Sequence, residues 1–130
     1  MARLCVNRHP LSGSDSAPHP IQSKTSASQG KAPAGAYTQP FVTQLVLLGL
    51  EEAIERGVIT EADVTQEKLE GFLSRFGRRF YKLPEVSEKK IVLERKGEKI
   101  PTSVVSEDGI IEVGISRAGA EVFSLKWEEA

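Results

Sequence analysis

An aspartate and a histidine stand four residues apart in Gly13-Ser14-Asp15-Ser16-Ala17-Pro18-His19-Pro20. A carboxylate can ligate a metal ion and also shuttle a proton. An imidazole can donate a hydrogen bond to an anionic substrate group. Each residue also has an ordinary reading. Asp-Ser-Ala-Pro suits a turn whose carboxylate bonds nearby backbone amides, and a histidine beside proline suits a loop surface. His9-Pro10 echoes His19-Pro20, but the histidines are ten residues apart and no third ligand joins them. A complete zinc site needs three or four converging ligands, so this pattern does not build one. Ser14 and Ser16 lack a Gly-x-Ser-x-Gly elbow and are set aside as nucleophiles.

The elements that would position this loop follow it. Residues 13–37 are punctuated by Gly13, Pro18, Pro20, Gly30, Pro33 and Gly35, with Ser and Thr between. A connection of that length in a compact domain is either a functional loop or disordered. A helix is expected over 39–56, with Thr38 as its cap, Pro40 in its first turn and Gly57 at its end. Val42, Leu45, Val46, Gly49, Leu50, Ala53 and Ile54 would form its apolar stripe, with Gly49 allowing a close neighbour. A second helix is expected over 66–76, capped by Thr65 and stopped by Gly77. Leu69, Phe72, Leu73 and Phe76 mark its buried face. Phe72, Phe76, Phe80 and Tyr81 read as core. Arg75, Arg78 and Arg79 read as a solvated helix end that suits the negative pole of the dipole. Strands are expected at 89–96 with a turn at Gly97, around Val104-Val105 and 110–115 with an Asp108-Gly109 turn, and over 122–127 after Ala118-Gly119. Before the loop, residues 1–12 show no period, though Leu4, Cys5 and Val6 suit a short extended segment.

Composition bounds the partners. The 130 residues carry 17 basic and 18 acidic side chains, for a net charge of −1. That balance gives no electrostatic case for nucleic acid or an anionic membrane. Hydrophobic content of 39% with 27% charged residues is globular. The run Leu45-Val46-Leu47-Leu48-Gly49-Leu50 is too short to span a bilayer. A single cysteine, Cys5, cannot form an internal disulfide and fits a reducing compartment, so the cytoplasm is expected.

Read together, these residues carry a resemblance. Gly13-Ser14-Asp15-Ser16-Ala17-Pro18-His19 resembles the end of the eighth barrel strand in homodimeric-type dihydroorotases of the amidohydrolase superfamily. Ala34-Gly35-Ala36-Tyr37, Pro40 and the apolar helix to Glu51-Glu52 resemble the loop and helix that follow there. Leu69-Glu70-Gly71-Phe72 through Gly77, then Phe80-Tyr81-Lys82-Leu83-Pro84, resemble the next helix and its exit. Ile91-Val92-Leu93 and Ala118-Gly119 resemble the C-terminal extension. The match covers roughly residues 12–127.

The resemblance implies an α/β fold. It would be the C-terminal portion of a (β/α)8 metal-dependent hydrolase barrel plus a short β-rich extension. The expected division is 1–12 as a divergent remnant, 13–84 as the end of the barrel and 85–130 as the extension. It also implies the zinc-dependent, reversible cyclisation of N-carbamoyl-L-aspartate to dihydroorotate in pyrimidine biosynthesis, by a homodimer with two zinc ions per site. Asp15 would be a zinc ligand and the general acid/base. His19 would bind the substrate carboxylate, with backbone at Ala34 and Ala17 holding the ring or carboxylate. The family's His-x-His motif, its carboxylated lysine and two further histidines have no counterpart in the sequence. A barrel takes about 250 residues. The chain alone is therefore expected to be inactive. The alternative is a non-catalytic α+β module that binds a partner.

Overall fold

A computed structural model describes residues 10–25, 32–84 and 88–129. The expectations for Leu4–Val6 and His9 lie outside the described residues. The helices are α1 (Ile21–Thr25), α2 (Val42–Glu55), entered through a 3-10 turn at Gln39–Phe41, α3 (Gln66–Glu70) and α4 (Phe76–Phe80). The strands are β1 (Lys89–Lys99), β2 (Ser103–Val105), β3 (Glu112–Gly114) and β4 (Glu121–Glu129). β1 pairs with β4, and β2 pairs with β3. By contacts the chain forms two units: Ser14–Gly49 with Val92–Lys126, and residues 1–13 with Leu50–Ile91 and Trp127–Ala130.

The first unit holds the core and the candidate site. Ile100, Ile115 and Val122 are buried, with Tyr37, Phe41, Leu45, Leu48 and Ala120 packed against them. Ile100 is only 2% exposed, and burying such a side chain is worth about 1.5–3 kcal/mol. Its backbone is fixed too, since Ile100 N–H donates to Ala120 O and Gly119 N–H donates to Ile100 O. Antiparallel pairing sets Ser103 opposite Gly114, Val104 opposite Val113 and Val105 opposite Glu112. The turn between these strands is the expected Asp108-Gly109, with Gly109 at φ 73°. Asp108 accepts from Ser106 Oγ at 2.5 Å and Ile110 N at 3.1 Å. Those bonds, the Ser106 hydroxyl first, hold its carboxyl below the ordinary value. Gly97 departs from expectation. It does not end β1 but sits inside it at φ 71°, the conformation of a bulge glycine. Gly49 is also different, because a Cβ there would meet nothing within 4 Å. The stripe buries Gln44 and Leu47 instead.

In the second unit, α2 ends as expected. Gly57 takes φ 69°, its N–H bonds Ile54 O, and Val58 N–H bonds Ala53 O. This is the Schellman pattern. Thr65 caps α3, accepting from Lys68 N at 3.3 Å. Gly77 does not stop the following helix. A π-helical turn at Gly71–Arg75 joins α3 to α4, and the helix runs on to Phe80. Gly71 is buried because the Phe76 ring lies where its side chain would be, 2.5 Å from an added Cβ. The stop falls at Lys82 (φ 56°), where Lys82 N–H bonds Arg79 O and Leu83 N–H bonds Arg78 O. Glycine has no advantage at 77 because that residue keeps helical geometry, whereas the left-handed cap position falls on a lysine. Phe80 and Tyr81 are not core: they are 68% and 66% exposed. The longer helix carries them past the face buried by Gly71, and they pack edge-to-face on each other at 5.0 Å. Of the basic cluster, Arg75 donates to Glu67 O and Arg78 to Pro84 O.

Candidate functional site

Asp15, Ala17, His19 and Ala34 all fall in the first unit, on two loop segments joined by hydrogen bonds. Ala17 N–H donates to Ala36 O at 3.0 Å. Ser16 Oγ accepts from both Thr38 N and Gln39 N at 3.1 Å. Ser14 Oγ donates to Gln39 Oε1 at 3.2 Å, and Thr38 Oγ1 donates to Ser14 O at 3.5 Å. Thr38 was the expected cap of the following helix, yet its side chain makes no cap bond. Ser16, more than twenty residues earlier in the chain, satisfies those amides instead. In the sequence the two serines present only as nucleophile candidates. A cap contributed from a distant loop leaves no local spacing to detect.

Between the two serines, Asp15 takes φ 45° and is exposed. This left-handed conformation is uncommon for any residue but glycine, and Asp tolerates it better than most. Its carboxylate pairs with nothing among the described residues. The turn reading, with that carboxylate bonding neighbouring amides, is thus not what is seen. His19 is half-buried and its ring likewise pairs with no described residue. No bond joins Asp15 to His19.

The second segment is held by α1, by the first segment and by the strands. Lys24 of α1 donates through Nζ to Gly35 O at 2.5 Å and to Pro33 O at 3.2 Å, bracketing Ala34. Ala34 itself is exposed. Gly35 has φ 116°, and an added Cβ would lie 2.6 Å from Ala17 Cβ, so only glycine lets the two segments approach this closely. Ala17 has its N–H committed to Ala36, which leaves its carbonyl. The segments are tied to the strands by bridges between Pro20 and Val113 and between Tyr37 and Ile115, and Ser116 N–H bonds Tyr37 O. Ile21 Cγ1 lies 3.4 Å from where a Gly114 Cβ would stand. The core that buries Ile115 therefore also anchors both loops.

No family model matches the chain. Individual proteins do. It is 34% identical over 120 residues to dihydroorotase of Saccharomyces cerevisiae, covering 89% of this chain and 29% of that protein. It is 35% identical over 96 residues to a probable dihydroorotase of Schizosaccharomyces pombe. The crystal structure of the S. cerevisiae dihydroorotase in complex with 5-fluoroorotic acid superposes with a TM-score of 0.69 at 32% identity, covering 92% of this chain and 30% of that one. The chain is a homologue of the C-terminal portion of dihydroorotase. Campylobacter jejuni dihydroorotase shares the fold, with a TM-score of 0.60 at 23% identity. The chain spans less than a third of the length of these relatives.

Whether the residues fit a zinc centre can be tested directly. Among the described residues no group of three or more His, Cys, Asp or Glu converges as a metal site. Asp15 is a free, exposed carboxylate and suits one ligand of such a centre, but the described residues do not complete it. No described helix is long and apolar enough to cross a membrane.

Proposed function

We propose that this chain carries the substrate-facing and proton-transferring part of a dihydroorotase site, for the interconversion of N-carbamoyl-L-aspartate and dihydroorotate. The observation that supports it most is Asp15: an unpaired carboxylate in a left-handed backbone conformation, on a loop whose sequence resembles the end of the eighth barrel strand in dihydroorotases. Strain of this kind concentrates at functional positions.

In the hydrolytic direction the ring amide C–N bond breaks. Asp15 takes the proton of the attacking water and delivers it to the departing nitrogen. His19 donates a hydrogen bond to the substrate carboxylate, and the backbone at Ala34 and the Ala17 carbonyl bound the ring. When bound, a pair of zinc ions would activate the water and polarise the amide carbonyl. Asp15 is the ligand this chain would contribute. The family's other ligand motifs have no counterpart in this sequence, so the 130-residue chain alone is proposed to be inactive. The reading extends to a full-length homodimer in which this chain forms the end of a (β/α)8 barrel. A single cysteine fits a cytoplasmic setting.

The test is complementation. The purified chain is assayed with dihydroorotate and zinc, alone and mixed with the part of the S. cerevisiae enzyme that it does not match. The expected result is turnover only in the mixture. Turnover by the chain alone would overturn the proposed inactivity. A complex that forms but does not turn over would count against the catalytic reading.

A further inference from the structure

The serine pair that ties the two loops together also sets the geometry of Asp15. We infer that Ser16, assisted by Ser14, is a positioning residue that holds Asp15 in its left-handed conformation with the carboxylate clear of the loop's own amides. The inference rests on the reading of Asp15 as the proton-transferring group, but its physical content is independent of turnover.

An unconstrained Asp-Ser-Ala-Pro segment would behave differently. Its aspartate would fall to negative φ and its carboxylate would accept from nearby backbone N–H groups. Both outcomes are blocked here. Residues on either side of Asp15 are pinned to one target, the start of the helix entered at Gln39. On the preceding side, Ser14 donates through Oγ to Gln39 Oε1, and its carbonyl accepts from Thr38 Oγ1. On the following side, Ser16 Oγ takes the Thr38 and Gln39 amides, and Ala17 N–H bonds Ala36 O. Within the loop, Ser16 N–H points to Ser14 Oγ at 3.4 Å. The amide of Ala17, two residues on and the natural partner for the Asp15 carboxylate, is already given to Ala36 O. With both neighbours fixed, the intervening residue has little freedom except to bow outward at φ 45°. The same hydroxyl that caps the helix therefore aims the carboxylate, which couples the active loop to the Tyr37–Phe41–Leu45 side of the core.

The experiment is solution NMR on the isotopically labelled chain and on Ser16→Ala, Ser16→Thr and Ser14→Ala. In Ser16→Ala, hydrogen exchange at the Thr38 and Gln39 amides is expected to speed up by about 2- to 10-fold, the loss of one net hydrogen bond. The Asp15 HN–Hα coupling and backbone shifts should leave left-handed values. Ser16→Thr keeps an acceptor oxygen and should restore both, while Ser14→Ala should shift Asp15 partway. Resonances of Val104, Val105, Ile110 and Ile111 at the hairpin tip should not move. Unchanged Asp15 signals in Ser16→Ala would overturn the inference. So would collapse of the hairpin signals, which would make Ser16 a general determinant of the fold. Either result would leave the catalytic reading of Asp15 standing, because that reading is decided by turnover of an Asp15 variant.

Discussion

Replacing Gly35 by alanine tests whether the two loops must meet as closely as described. An added Cβ would stand 2.6 Å from Ala17 Cβ and 3.0 Å from Ala17 O, and the backbone there has φ 116°. Overpacking of this kind costs roughly 1–3 kcal/mol. Forcing an L-residue into a glycine-only conformation costs roughly 1–3 kcal/mol more. The two are not independent, since a shift that relieves the clash also relaxes the backbone. A loss of about 2–5 kcal/mol is therefore expected, a large part of the ~5–15 kcal/mol that holds a small domain together. Urea denaturation followed by far-ultraviolet circular dichroism measures it. Gly49→Ala is the matched control. Its Cβ would meet nothing within 4 Å and its backbone is helical, so it should stabilise by ~0.8–1 kcal/mol. Adding Ala17→Gly to Gly35→Ala should recover part of the loss, because the shorter contact is between side chains. If Gly35→Ala stayed within about 0.5 kcal/mol of the parent, as an ordinary surface change does, the close apposition of the loops would be refuted.

Three further outcomes follow from the geometry. Lys82→Gly should stabilise by ~0.5–1 kcal/mol, since a lysine occupies the left-handed cap that Gly57 fills at the end of α2; thermal denaturation reads it. Gly71→Ala should destabilise by about 1–3 kcal/mol through the Phe76 ring, and Phe76→Leu should relieve part of that in the double variant. The β2–β3 turn should weaken in acid. Asp108 has its carboxyl lowered from 3.8 by the Ser106 and Ile110 bonds, so its contribution is whole above that value and is lost as pH falls through the lower folded one. Hairpin amide exchange across an acid pH series should show this loss, and Asp108→Asn should remove it.

Much of the local structure was legible because it obeys local rules. The stripe from Val42 to Ile54 has helical period, Gly57 and Gly119 sit where left-handed turns are needed, Thr65 is a sequence-local cap, and Asp108-Gly109 closes a hairpin. The misreadings arose where a distant partner decided the matter. Ser16 displaced Thr38 as the cap because the loop folds back on the helix start. Gly77 did not end its helix because termination needs left-handed geometry, which fell on Lys82. Gly71 carries no local signal of its role, which is to make room for the Phe76 ring. Gly97 looks like any turn glycine until the strand is seen to continue through it. Asp15 and His19 were visible as residue types, whereas the bonds that free the Asp15 carboxylate join segments that sequence spacing does not connect.

The central claim, that Asp15 transfers the proton in a dihydroorotase site, is tested most directly by a graft. Residues 10–129 replace the homologous C-terminal portion of the S. cerevisiae dihydroorotase, and kcat and KM for dihydroorotate are compared with those of the same graft carrying Asp15→Asn. The account predicts a working graft in which Asp15→Asn lowers kcat by about 10²- to 10⁴-fold, the usual contribution of general acid–base catalysis. A graft that keeps its kcat with asparagine at position 15 would contradict it.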